Sequence, residues 1–163
     1  MSGLYRGAMA EQMKRRFGPE PRYPAVKTYH PDDGGKFYIL AGPCAIESVE
    51  QIVACTEVLA GIEPAISYMR GGVFRAGTYP PANFGLDKTL LRDWSFLAHG
   101  KGLKVNCEIF DPRQIDYIDQ HADAFQVGAR QGQGYVILDE LAKQTKPVFL
   151  KRGAGMKLDE FLG

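Results

Sequence analysis

The chain has 163 residues, 45% hydrophobic and 24% charged, the balance of one soluble globular domain with a real core, which excludes a disordered or low-complexity polypeptide. A formal net charge of +1 lacks the concentrated positive charge that nonspecific nucleic-acid or membrane-surface binding requires, and no apolar run approaches the roughly 20 residues that span a bilayer. Cys44, Cys55 and Cys107 form no CxxC pair and no even-numbered framework, so a reducing compartment, the cytoplasm, is expected.

Residues 1–36 carry seven Lys/Arg against four Asp/Glu and read as a basic leader arm with room for one short helix. Pro19, Pro21, Pro24 and Pro31 then favour extended chain. Met1 to Phe17 is too interrupted by Arg6, Glu11 and Lys14 to be a secretory signal.

From residue 37 onward, short apolar strands alternate with amphipathic helices, the pattern of a parallel α/β domain. Phe37 to Ala41 reads as the first strand. Ser48 and Gln51 form a capping box that opens a helix with Val49, Ile52, Val53 and Leu59 at helical spacing. A second strand is expected near Ser67 to Arg70, followed by a Gly/Pro-rich loop from Gly71 to Gly85. Asp87 then opens a helix with Leu90, Leu91, Trp94, Leu97 and Ala98 on one face, stopped by Gly100 and Gly102.

The third strand, Lys104 to Phe110, alternates Val105, Cys107 and Ile109 against Asn106, Glu108 and Phe110. Asp111 caps the next helix with Pro112 at its first position. Ala124 to Val127 is the fourth strand, followed by a helix bearing Tyr135, Leu138 and Leu141. Pro147 to Leu150 is the fifth, delivering Lys151 and Arg152, and a last helix starts near Leu158 with Phe161 and Leu162 on its face. Five βα beginnings fall short of the eight that close a barrel in roughly 250 residues. The fold class is therefore a (β/α)8 barrel truncated to about five units over residues 37–163, or an open five-stranded sheet.

Cys44, Arg70, Glu108, Arg130 and Lys151 fall at or just beyond the carboxyl ends of strands one to five. Random placement would scatter such residues, whereas ligands of parallel α/β folds bind at those ends. Arg70, Arg75, Arg130 and Lys151 bring positive charge to one mouth, which suits a phosphorylated anion, and Gly128-Ala129 would let backbone N–H groups approach it. Cys44 is the one cysteine at a strand exit and a candidate metal ligand. Cys55 and Cys107 read as packing, and His30, His99 and His121 fall in the leader or toward the opposite face. Lys151 also has the chemistry of a Schiff-base lysine, a reading ranked below a phosphate contact.

Four segments, Ala41-Gly-Pro-Cys-Ala-Ile-Glu-Ser48, Arg70-Gly-Gly-Val-Phe74, Gln126-Val-Gly-Ala-Arg130 and Lys146-Pro-Val-Phe-Leu-Lys-Arg-Gly153, together resemble the 3-deoxy-7-phosphoheptulonate (DAHP) synthase family, type I. That class also contains 3-deoxy-octulosonate 8-phosphate synthase. The resemblance implies a (β/α)8 barrel that condenses phosphoenolpyruvate with erythrose 4-phosphate, a first step toward aromatic amino acids, with release of phosphate. The alternatives are arabinose 5-phosphate as acceptor, or a non-catalytic half-barrel that binds anions or a partner subunit.

It further implies a divalent metal (Mn, Fe, Zn or Co) with Cys44 as one ligand and the remaining ligands outside this chain. Arg70, Arg75, Thr78, Gly128, Ala129, Arg130 and Lys151 would contact substrate, Glu108 and Lys151 would act near the reacting centre, and a homo-oligomer is expected at full length. Where the family reads Lys-Pro-Arg-Thr-Ser-Pro, this chain has Arg75-Ala-Gly-Thr-Tyr-Pro80, so Gly77 replaces an expected aldose-phosphate contact.

Overall fold

The computed structural model describes residues 39–62, 66–74 and 87–162. The predicted leader arm, Arg75 and Thr78 lie outside these. Five strands, β1 (Leu40–Ala41), β2 (Tyr68–Gly71), β3 (Lys104–Ile109), β4 (Ala124–Val127) and β5 (Val148–Leu150), alternate with α1 (Val49–Ala60), α2 (Leu90–Gly100), α3 (Ile115–His121), α4 (Tyr135–Leu141) and α5 (Leu158–Leu162). All neighbouring strands are parallel and follow chain order.

The sheet curls. In a flat sheet β2 and β5 would stand three strand spacings apart, roughly 14 Å, yet the rings of Tyr68 and Phe149 meet edge to face with centroids 5.5 Å apart. Only strands bent around a common axis bring these inward side chains together. The five units are therefore a curled segment of a (β/α) barrel, and the open-sheet alternative is set aside.

Alternation along each strand divides the side chains as the sequence predicts. Met69, Val105, Cys107, Ile109, Phe125 and Val127 face the helices and join Ile46, Ile52, Leu91, Trp94 and Ile118 in one core. The opposite set, Tyr68, Arg70, Asn106, Glu108, Gln126 and Phe149, faces the barrel lumen. Cys107 is fully buried, and burial pushes its thiol up from 9.0 to about 12. The unfolded thiol ionises above pH 9 while the folded one stays neutral, so this group's stabilisation is intact below pH 9 and is lost as pH rises toward 12. Urea unfolding of wild type and Cys107→Val from pH 8 to 10.5 should show the wild type losing stability faster; parallel curves would contradict the assignment.

The helix boundaries follow local chemistry, with four differences from the sequence pattern. Ser48 Oγ accepts the Gln51 N–H and Gln51 Oε1 accepts the Glu47 N–H, but the inward face of α1 is Ile52, Thr56 and Leu59, while Val49 and Val53 point out. Helix α2 begins at Leu90 rather than Asp87, because Asp87 Oδ1 accepts both the N–H and the hydroxyl of Thr89 in a turn that precedes it. Asp111 and Gln114 do form a capping box, but on a 3-10 turn, Pro112–Gln114, that leads into α3. The Arg113 guanidinium on the Asp111 carboxylate, with the Arg113 N–H, holds that carboxyl down to about 2.

The fourth difference concerns α4 and α5. Tyr135 is 79% exposed, and α4 packs through Ile137 and Leu141, with Leu138 partly buried against the same core. Leu158 on α5 is likewise exposed. At the far end of the barrel, Lys146 Nζ donates to the carbonyls of Asp119 and Ala122, satisfying orphan acceptors at the end of α3.

Candidate active site at the strand ends

The rim is assembled by close backbone approaches that only small residues permit. Gly42 ends β1 with φ +147°, and a Cβ there would lie 2.2 Å from the Arg70 carbonyl oxygen. The turn that follows is tied to β2 by the Ile46 N–H donating to the Gly72 carbonyl at 3.0 Å, leaving Cys44 exposed on the outside of the turn. Gly71 faces the core, where a Cβ would press on Ile46 and Trp94 at 2.9 to 3.1 Å.

Glu108 sits between two glycines. A Cβ on Gly72 would be 3.2 Å from the Glu108 Cβ, and one on Gly128 would be 2.4 Å from Glu108 Oε1. The carboxylate thus leans from β3 over the exit of β4. Arg70 stands beside Asn106 in register, and Glu108 beside Gln126. One step beyond the Val127–Leu150 pair, Gly128 comes level with Lys151, whose N–H donates to the Val127 carbonyl at 3.1 Å.

After β4, residues Ala129–Gln131 make a 3-10 turn. After β5, Arg152 Nη1 donates to the Met156 carbonyl and closes the loop 152–156. Between these two turns lies a cleft of about 320 Å³ lined by Ala129, Arg130, Gln133, Gly153, Ala154, Gly155 and Met156. Four of these are glycine or alanine and one, Arg130, is cationic; Lys151 lies two residues before Gly153 and outside the lining. The Arg130 guanidinium is the kind of donor that suits phosphate oxygens.

The structure therefore draws Arg70, Glu108, Gly128, Ala129, Arg130 and Lys151 to one end of the barrel. It adds Gln133 and the loop Gly153 to Met156, which the sequence reading did not single out; the small-residue run Gly153-Ala-Gly155 after Lys151-Arg152 was the available signal. Lys151 is exposed, which removes the burial that a Schiff-base lysine uses to become nucleophilic.

Among the described residues no group of three or more His, Cys, Asp or Glu side chains converges, and Cys44 stands on its turn without a second ligand. One thiolate is an incomplete set, so the described residues do not by themselves fit a metal ion.

His99 and His121 belong to the opposite end. His99 Nε2 lies 2.8 Å from Asp123 Oδ2, which also accepts the Val105 N–H at 2.7 Å. Ser95 Oγ is 3.4 Å from His99 Nδ1 but gives its proton to the His121 carbonyl at 2.6 Å. A serine whose proton is held by a carbonyl, with 8% of the residue exposed, is a staple between α2 and the α3–β4 turn, not a nucleophile.

Residues 26–163 match the family model described as the DAHP synthetase I family. The chain is 30% identical over 147 residues to a phospho-2-dehydro-3-deoxyheptonate aldolase of Thermotoga maritima, an alignment that takes in 83% of this chain and 43% of that protein. The crystal structure of the phospho-2-dehydro-3-deoxyheptonate aldolase (DAHP synthase) from Thermotoga maritima superposes with a TM-score of 0.72 at 30% identity, covering 91% of this chain and 42% of that one. A truncated form of 3-deoxy-D-arabino-heptulosonate 7-phosphate synthase from the same organism gives 0.67 at 28% identity, covering 91% and 52%. The chain thus spans about half or less of the length of the relatives it matches.

Proposed function

Because this chain belongs to the DAHP synthetase I family, we propose that its strand-end rim binds phosphoenolpyruvate and serves the condensation of that substrate with erythrose 4-phosphate, with release of phosphate. The observation that carries this reading is the small cleft lined by Arg130 and by Gly153 to Met156, between the turns that follow β4 and β5. A phosphate group would sit there on N–H donors and the Arg130 guanidinium. Lys151 and Arg70 would neutralise the remaining charge of the substrate.

In this reaction C3 of phosphoenolpyruvate forms a bond to the aldehyde carbon, water adds at C2, and the C–O bond to phosphate breaks. The residues of this chain would contribute in three ways. Arg130, Lys151 and Arg70 would fix the enol phosphate in an attack geometry and stabilise its developing charge. Gly128 and Ala129 would let the backbone approach it closely. Glu108, leaning over Gly128, would hold or take up a proton next to C2 and C3. Cys44 would add one thiolate to a divalent ion completed by ligands from outside the described residues.

Calorimetric titration with phosphoenolpyruvate tests the binding half, and phosphate release with each aldose phosphate, with added Mn²⁺ and with chelator, tests the chemistry. Binding should weaken at least 10-fold in both Arg130→Ala and Lys151→Ala. Erythrose 4-phosphate should outperform arabinose 5-phosphate as acceptor. An affinity for phosphoenolpyruvate that both substitutions leave unchanged would overturn the assignment of this rim.

A further inference from the structure

The lumen carries more buried polarity than its packing accounts for. Asn106 is 0% and Gln126 2% exposed, yet Asn106 Nδ2, Asn106 Oδ1 and Gln126 Nε2 have no hydrogen-bond partner among the described residues. Buried polar atoms in folded proteins are paired in the great majority of cases, and each one left alone keeps the full cost of its desolvation. Three on one interior patch, contributed by two neighbouring strands, indicate a guest that supplies the missing hydrogen bonds.

The surroundings select the guest. Gln126 is the register neighbour of Glu108, and Asn106 precedes Glu108 by two residues on the same face of β3. On its other side Gln126 neighbours Phe149, whose ring meets Tyr68 across the lumen. An anion would face the Glu108 carboxylate, and a cation would leave the two unpaired amide nitrogens, which can only donate, still without acceptors. Water both donates and accepts, needs two to four polar partners, and fits a site of two amides beside a carboxylate.

We propose that Asn106 and Gln126 form a buried water-binding site in the barrel lumen, and that water held there positions the Glu108 carboxylate over Gly128. The water site stands on the unpaired amides alone, and the positioning role rests on the part proposed for Glu108. Asn106 and Gln126 are thus positioning residues that act through Glu108 without touching substrate.

The test has two readouts independent of turnover. In a high-resolution crystal structure of the full chain, ordered water should appear within about 3 Å of both amides, and in Gln126→Met that water should be displaced or lost. In the same variant the ¹³C chemical shift of the Glu108 side-chain carboxyl should move, with recovery in Gln126→Asn, which restores an amide donor. A dry lumen in the wild-type crystal overturns the site, as would a higher melting temperature in both Asn106→Leu and Gln126→Met, the outcome expected when unpaired polar atoms are simply removed. Water present with an unmoved Glu108 signal overturns the positioning role. Loss of phosphoenolpyruvate binding in the wild type would count against the proposed function and leave both of these readouts standing.

Discussion

Gly42→Ala should destabilise the fold by about 3 to 5 kcal/mol. Two costs combine at this position. The backbone has φ +147°, where a side chain is strained by roughly 1–3 kcal/mol. The new Cβ would also lie 2.2 Å from the Arg70 carbonyl oxygen and 3.0 Å from its nitrogen, backbone atoms of a paired strand that cannot rotate away, and overpacking of this kind costs another 1–3 kcal/mol or so. Against a typical domain stability of roughly 5–15 kcal/mol, the melting temperature should fall by about 10 °C or more. Gly100, where a Cβ would meet nothing within 4 Å, is the control, and Gly100→Ala should melt no lower than wild type. A Gly42→Ala protein that melts within 3 °C or so of wild type would show that β1 and β2 do not approach as described.

Gly128→Ala should do the reverse, leaving the fold nearly intact while disabling the rim. Its Cβ would lie 2.4 Å from Glu108 Oε1 but 3.6 Å from Cδ, so the obstacle is the far end of a flexible side chain that can swing aside for less than about 1 kcal/mol. The swing removes the carboxylate from its place over β4, and the added methyl stands where a phosphate would approach the backbone. Misplacement of a reacting group by about 1 Å can cost on the order of 100-fold in rate. Phosphoenolpyruvate affinity should drop about 10-fold or more and turnover about 100-fold, with a melting temperature close to wild type. Unchanged affinity together with unchanged turnover would separate Glu108 and Gly128 from the substrate.

The contrast between these two glycines shows what was and was not legible in the sequence. Period-2 alternation placed Cys107 toward the helices and Glu108 toward the lumen, because one face of each strand must be apolar for the helices to pack on it. The Gly-Pro-Cys turn marked a strand exit. Neither pattern says that Gly42 presses on Arg70 or that Glu108 leans across to Gly128, since both contacts join different strands and depend on register and curl. Tyr135 was misplaced for a related reason: of the stripe Tyr135, Leu138 and Leu141 the last two do pack on the core, but Ile137 is buried with them while Tyr135 faces out. The cleft residues Gln133 and Gly153 to Met156 carry little charge and no metal-ligand signature, so they become visible only when the two loops are seen to face each other. The candidate residues could be read one by one, because parallel strands deliver them to the same end; the distances between them could not.

The Tyr68–Phe149 contact has a consequence for cooperativity. The extensive packing among the described elements joins units adjacent in sequence, strand to next strand and helix to next helix. An array held only by nearest-neighbour contacts behaves as a one-dimensional stack, whose ends fray independently of the middle. A ring contact between residues in the second and fifth strands spans the stack and couples the opening of β5 to that of β2. Amides of these two strands should therefore exchange with deuterium in a single concerted opening, and Tyr68→Ala should split it into two, with β5 exchanging first. Strand exchange that is already independent in the wild type would mean that curvature, though present, does not bind the units into one.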